Sequence, residues 1–397
     1  MKISRRKILI SSALGALTLF GNRLASSLFK KNFGLAWSNQ KRTQPAQAHP
    51  QVTVNPRVVS IHASGACHWD GASYPYVDGI DYQLVAKMLD QALMTLATQT
   101  TPEHAWQSLF SSYRKGDRVA IKPNFNDLYN EFRDNLVTSP AVLNAILAGL
   151  VGYLGVPPTD IFVYDCTRKI PDSFRQRINY PVHFVEAWGS CLSRKVQYKI
   201  MGNPLPKADL DFAIKMSKDI KNENGKPIQC YLPKVITQAQ HIINVPVMKS
   251  HQFVLASGAL KNHYGTVRFS DGITGPIYLH PPVIHESIVD INNHPQIKQK
   301  TRLIVMDALF GRTKKSGGPP DKWQIFNNAN PARLYVSQDP VALDSVTANF
   351  IRNELRQRRQ ELLADEYLRL AAAVGLGVHE MPVGDSFQHI DFQELTI

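Results

Sequence analysis

Short β-branched runs that end in polar residues, each followed by a helix-period pattern, set the plan of this chain. Arg118–Lys122, Asp160–Asp165, His241–Lys249, Arg302–Asp307 and Arg333–Ser337 read as strands with near-continuous apolar centres. Strands of that kind are covered on both faces, which argues for a largely parallel sheet. Between them, Asp81–Thr98 carries helical spacing. Ser139-Pro140 caps and starts a helix to about Tyr153, with Val142, Leu143, Ile146, Leu147 and Leu150 on one stripe. Asp339-Pro340 starts another, with Val341, Leu343, Val346 and Phe350 inward. Residues 354–375, rich in Leu, Arg, Glu and Ala, read as a surface helix or helix pair with its charges solvated. Residues 189–234 mix Lys, Pro, Asn and Gly with short strands and read as an inserted α+β layer. The predicted fold is therefore α/β, a mostly parallel or mixed sheet with helices on both faces. No internal repeat interrupts it.

The first 48 residues follow a different pattern and stand outside the fold. Ser4-Arg5-Arg6-Lys7-Ile8-Leu9 precedes a mild apolar run to Phe20, the arrangement of a twin-arginine targeting leader. The run Ile8–Phe20 is 13 residues long, short of the roughly 20 a bilayer span needs, although a residual N-terminal anchor is an alternative. Small residues at Ala25-Ser26-Ser27 and at Ala46-Gln47-Ala48 offer two cleavage points, and Pro45 with its polar approach favours the second. The expectation is export through the twin-arginine translocase to the periplasm, with residues 49–397 as the exported α/β domain. The leader holds nine basic residues and no acid, so removing it takes the net charge from +13 to +4. The basic balance of the whole chain thus gives no support to nucleic-acid binding.

Candidate chemistry gathers where α/β sheets hold ligands, beyond the carboxyl ends of the strands. Lys122 with Asn124, Asp165, Lys249 with His251, Asp307 and Asp339 all follow predicted strands. Each by itself also fits a cap or a turn. The densest stretch runs from Val245 to His285, and residues 241–294 hold six of the thirteen histidines. Histidines run proton transfer or bind metals. His251, His263 and His285 are the metal candidates, but their spacing matches no zinc pattern and no H-E-x-x-H is present. Lysines suit a carboxylate or phosphate. The four cysteines, Cys67, Cys166, Cys191 and Cys230, lie far apart without a C-x-x-C, so no built-in iron–sulfur cluster is indicated. Ser316–Pro320 lacks the context of a phosphate loop, no G-x-S-x-G elbow occurs, and Cys67-His68 reads as structural.

Five motifs occur in one order: Val119–Asn124, Asn244–His251, Gly258–Gly265, Val305–Ala308 and Ser337–Asp344. In these the chain resembles the domain-of-unknown-function 362 family, over about residues 115–350. The resemblance implies an α/β fold and marks Lys122, Asn124, Lys249, His251, Lys261, Asn262, Asp339 and Asp344 as the matching positions. Some members add a ferredoxin-like cysteine cluster that this chain lacks, and no general reaction comes with the family. The expectation is an exported enzyme acting on a small anionic substrate. Lys249 and Lys261 would hold the anion, His251 would transfer the proton, and Lys122 and Asn124 would orient the substrate. Asn262, His263, Asp307, Asp339 and Asp344 would line the site. The alternative is a non-catalytic protein that binds a metal, cofactor or partner and is exported folded.

Overall fold

The β-branched runs pair side by side into one nine-stranded sheet, seen in a computed structural model of the chain. The structure describes residues 55–125, 132–133, 135–186, 207–222, 224–273, 276–313, 318–384 and 386–397. The predicted leader, its cleavage points and Cys191 lie outside these residues. No helix among the described residues is long and apolar enough to cross a membrane.

The strands of the main sheet are β1 (Val58–His62), β2 (Val119–Pro123), β3 (Ile161–Asp165), β4 (His183–Glu186), β7 (His241–Val245), β8 (Val247–Lys249), β10 (Thr301–Arg312), β11 (Arg333–Ser337) and β12 (Phe392–Thr396). Their order is β12-β1-β11-β10-β7-β2-β3-β4, with β8 beside β10. All neighbours run parallel except β11, which is antiparallel to both β1 and β10. The run His241–Lys249 is two strands and not one. Pro246 has no N–H to give a ladder; its carbonyl accepts from Asp307, and β8 continues against the second half of β10. In the region expected to be an insertion, β5 (Ala208–Ile214) and β6 (Cys230–Pro233) join β9 (Arg268–Phe269) in a small antiparallel sheet.

Side chains alternate across the main sheet and bury both faces. Val119, Ile121, Val305 and Val336 enter one core, under α1 (Tyr82–Ala97), α2 (Pro102–Leu109) and α3 (Pro140–Gly152). Ala120, Tyr164, Ile304 and Met306 enter the other. There they meet α6 (Ala259–Asn262), α7 (Ile284–Asn293), α9 (Pro340–Gln357) and α10 (Glu366–Ala373), with α5 (Lys234–Thr237) and α8 (Pro295–Lys298) as short turns around them, while the short α4 (Asp172–Arg175) buries Phe174 in the first core. Each large apolar side chain so buried is worth ~1.5–3 kcal/mol.

The helix starts follow the capping residues. Asp81 accepts from Gln83 and Leu84, Ser139 from Val142, and Asp339 from Val341 and Ala342. Two expectations change. Helix α3 is buried on nearly every side, because it is packed between the sheet and α1 and α2. The charges after residue 350 are not all solvated: Arg352 pairs with Asp365, and the fully buried Glu354 accepts from Gln324 and Ile325.

Candidate functional site

Parallel β2, β3, β8 and β10 bring Lys122, Asp165, Lys249 and Arg312 to one edge of the sheet. Lys122 is spent there on protein. Its ammonium donates to Asp165 Oδ2 at 3.0 Å and to the Pro123 carbonyl at 2.7 Å, and both partners of the ion pair are buried. Gly265 presses so closely on this pair that a Cβ would lie 2.7 Å from Lys122 Nζ and 2.8 Å from Asp165 Oδ2. Glycine is what the position allows.

Next to it runs a chain of buried amides. Lys249 Nζ donates to Asn124 Oδ1 at 3.0 Å, and Asn124 Nδ2 donates to Asn262 Oδ1 at 3.0 Å. Asn262 Nδ2 donates to Asn244 Oδ1 and to the Lys122 carbonyl, and Asn244 Nδ2 donates to the Ala259 carbonyl. A fully satisfied buried network of this kind fixes relative positions, since each unmet group would be costly. It locks β2, β7, β8 and α6 together.

Helix α6 is only one turn long and needs outside help to form. Asp344 of α9 supplies it, accepting from Ala259 N at 2.5 Å and Leu260 N at 3.0 Å. The carboxylate comes so near that a Cβ on Gly258 would lie 2.1 Å from its Oδ1. Burial pushes the Asp344 carboxyl up to about 7. This turn presents Lys261 next to Asn262.

Lys261 differs from the other two lysines. It is 7% exposed, stands 4.4 Å above the Tyr264 ring, and makes no hydrogen bond or ion pair with the described residues. Burial and the Arg168 guanidinium pull its ammonium down to about 7. His280 and His251 flank the same place, their rings 6.2 Å apart, with His280 also 6.2 Å from Tyr264 and 5.1 Å from Phe253. Burial, Lys261 and Arg168 hold His280 down to about 3. Burial and then Lys261, His280, Lys249 and Arg312 hold His251 well below the usual imidazole range. Among the described residues, no carboxylate is among the charges acting on Lys261, His251 or His280. His251 Nδ1 accepts from the backbone N–H of Phe253 at 3.1 Å. The neutral ring therefore carries its proton on Nε2 and offers a donor there.

Of the residues expected to converge, Lys122, Asn124, Lys249 and Asn262 share one hydrogen-bonded group, and His251 and Lys261 adjoin it. The others stand apart. Asp307 accepts from Ser139 N and Leu309 N and ties β10 to the start of α3. Asp339 lies at the opposite edge: β11 runs backwards, so Ser337 pairs with Ile304 near the beginning of β10. Asp344 acts behind α6, as a cap. His263 is buried, bonded through Nδ1 to Thr266 Oγ1, and lowered to about 3 by burial and Lys122. His285 stacks on Tyr367, between α7 and α10. The three metal candidates thus have three different surroundings, and among the described residues no three His, Cys, Asp or Glu side chains gather to hold a metal ion. Cys67, Cys166 and Cys230 are free thiols, each pushed up to about 12 chiefly by burial, and Cys67 Sγ donates to the Leu309 carbonyl. Arg168 and Tyr264 were missed by sequence reasoning. Arg168 follows β3 by three residues, at the carboxyl edge where cations were sought.

The family model described as "Domain of unknown function (DUF362)" matches residues 119–349. No curated protein matches the chain. Among solved structures, the lactate racemase apoprotein from Thermoanaerobacterium thermosaccharolyticum is similar over 73% of this chain, with 10% sequence identity and a TM-score of 0.36. The chain spans 56% of the length of that protein.

Proposed function

Because the chain belongs to the DUF362 family, whose matched region holds Lys261 and its surroundings, we propose that it is an exported enzyme that binds a small anionic substrate over Lys261. One observation carries this reading: a buried ammonium with no counter-ion among the described residues, beside Arg168, His251 and His280. Proteins seldom leave such a charge unpaired, because removal from water is expensive without a partner. A carboxylate or phosphate would supply the partner.

The same group suits proton transfer. With its ammonium near 7, Lys261 is present in both forms at neutral pH, the condition for an efficient acid–base group. The ammonium that holds the anion would give its proton to the bound substrate and be left as the amine, and His251 Nε2–H would donate a hydrogen bond to the oxygen on which charge develops. This moves the proton-transfer role from His251 to Lys261, since His251 Nδ1 is occupied. Lys122 and Lys249 hold the frame and leave the anion to Lys261 and Arg168.

Export rests on Arg5 and Arg6 and on the mild apolar run behind them. The twin-arginine translocase would be the partner in that step and the periplasm the destination. Changing both arginines to lysine is expected to hold the protein inside the cell.

The test of the activity is an untargeted mass-spectrometric comparison. Purified protein is incubated with a mixture of small carboxylates and phosphates, with the Lys261→Met variant as control. Disappearance of an anion with the first protein alone supports the reading. Capture of an anion without chemical change supports the non-catalytic alternative, and no difference between the two proteins rejects both.

A further inference from the structure

The opposite edge of the sheet carries a cavity of about 580 Å³. It opens where β10 begins, beside Arg302, Lys298 and Gln338, and runs inward past α7 and α8 to Asn244 and His263. None of its lining residues is acidic. Its size falls in the range of small-molecule sites.

Two deeply buried side chains leave polar atoms unmet there. Asn292 is 4% exposed; its Nδ2 donates to the Leu260 and Ile288 carbonyls, both at 2.7 Å, and its Oδ1 accepts from none of the described residues. His263 is 1% exposed; its Nδ1 faces Thr266 Oγ1 at 3.2 Å, and its Nε2 has no protein partner. Neither atom is sealed away from space, as the fully enclosed unmet atoms elsewhere in the fold are. Gln338, half-buried, adds an acceptor, because its Nε2 is taken up by the Arg302 carbonyl and its Oε1 remains. A buried polar atom without a partner is costly, so a ligand that meets Asn292 Oδ1 and His263 Nε2 gains accordingly.

The chemistry of the lining defines that ligand. An amide oxygen at depth, Asn292 Oδ1, and another nearer the mouth, Gln338 Oε1, call for hydroxyl groups. Arg302 and Lys298 at the mouth, with no acid nearby in the lining, call for one anionic group. We propose that this cavity is a second ligand site, built for a small polyhydroxylated phosphate such as a sugar or polyol phosphate. It stands independently of the reading of Lys261, since it opens at the other edge of the sheet and, although its inner end reaches Asn244, shares none of the cations proposed to hold the substrate.

The experiment uses protein labelled with ¹⁵N in its histidines, titrated with glycerol 3-phosphate, ribose 5-phosphate and glucose 6-phosphate. Glycerol and inorganic phosphate are the controls. The His263 resonances are assigned by their loss in His263→Gln. The expected result is a saturable shift at His263, with His251 unmoved, for at least one of the three phosphates. Neither control should reproduce it at equal concentration. Arg302→Met with Lys298→Met, both at the solvent-facing mouth, should weaken binding about tenfold or more. Lys261→Met should leave it unchanged, which separates this site from the other one. Absence of any saturable shift at His263 with all three phosphates overturns the proposal. So does equal binding of inorganic phosphate alone, or affinity that ignores both mouth substitutions.

Discussion

Lys261 Nζ lies 4.4 Å from the centre of the Tyr264 ring, and among the described residues that aromatic face is its sole favourable electrostatic contact. A cation–π contact is worth ~0.5–2 kcal/mol, too little to balance burial of an ammonium beside an arginine. The protein therefore carries a charge that lowers its own stability and that an anion would relieve.

Lys261→Met should accordingly make the protein more stable at low and neutral pH. The folded state holds the Lys261 proton less tightly than the unfolded chain, about 7 against an ordinary 10.5. The penalty is thus complete below about pH 7 and fades as pH rises toward the unfolded value. The variant should gain about 1–3 kcal/mol at pH 6 and almost nothing at pH 10. Urea unfolding at the two values measures it, and equal stability at pH 6 would count against an unpaired buried ammonium.

Lys122 should behave in the opposite way. Lys122→Met strands the buried Asp165 carboxylate and should cost about 3–5 kcal/mol. Adding Asp165→Leu should return part of that loss, because no lone charge then remains. Unfolding midpoints of the two variants decide the point. A freely tolerated Lys122→Met would show that the pair does not brace β2 against β3.

Asp344 gives a pH signature of its own. Its folded value, about 7, is above the ordinary 3.8, so its protonated form is favoured on folding. That contribution is complete below about pH 3.8 and is lost as pH rises through 7. The stability difference between wild type and Asp344→Asn should therefore move against the wild type between pH 4 and 8. Asp344→Ala, which leaves the Ala259 and Leu260 N–H groups without an acceptor, should cost about 1–3 kcal/mol. A flat difference between wild type and Asp344→Asn would contradict the assignment.

The amide chain predicts coupling between distant positions. Asn124→Ala and Asn262→Ala should each destabilise, and the double variant should lose less than the sum by about 0.5–3 kcal/mol. Strict additivity in a double-mutant cycle would mean that the 3.0 Å contact between them carries no energy.

The strands and helix starts were legible because they depend on local patterns: β-branched runs for β2, β3 and β11, and Asp81, Ser139 and Asp339 for the caps. The direction of β11 was not. Nothing in Arg333–Ser337 says whether it runs with or against β10, and Asp339 was therefore placed with the lysines when it lies at the other edge. The fates of the three lysines were equally hidden. Lys122 meets Asp165 across 43 positions and Lys249 meets Asn124 across 125, while Lys261 meets no acid among the described residues. Such partnerships depend on which chain segments the fold brings together, and residue type alone does not carry that.

Titration calorimetry with sulfate, whose charge is constant from pH 5 to 9, tests the central assignment most directly. The wild type should bind it saturably at pH 6, lose affinity as the pH rises through about 7 with deprotonation of Lys261, and Lys261→Met should not bind. Equal affinity in the two proteins, or an affinity unchanged from pH 6 to pH 9, would contradict it.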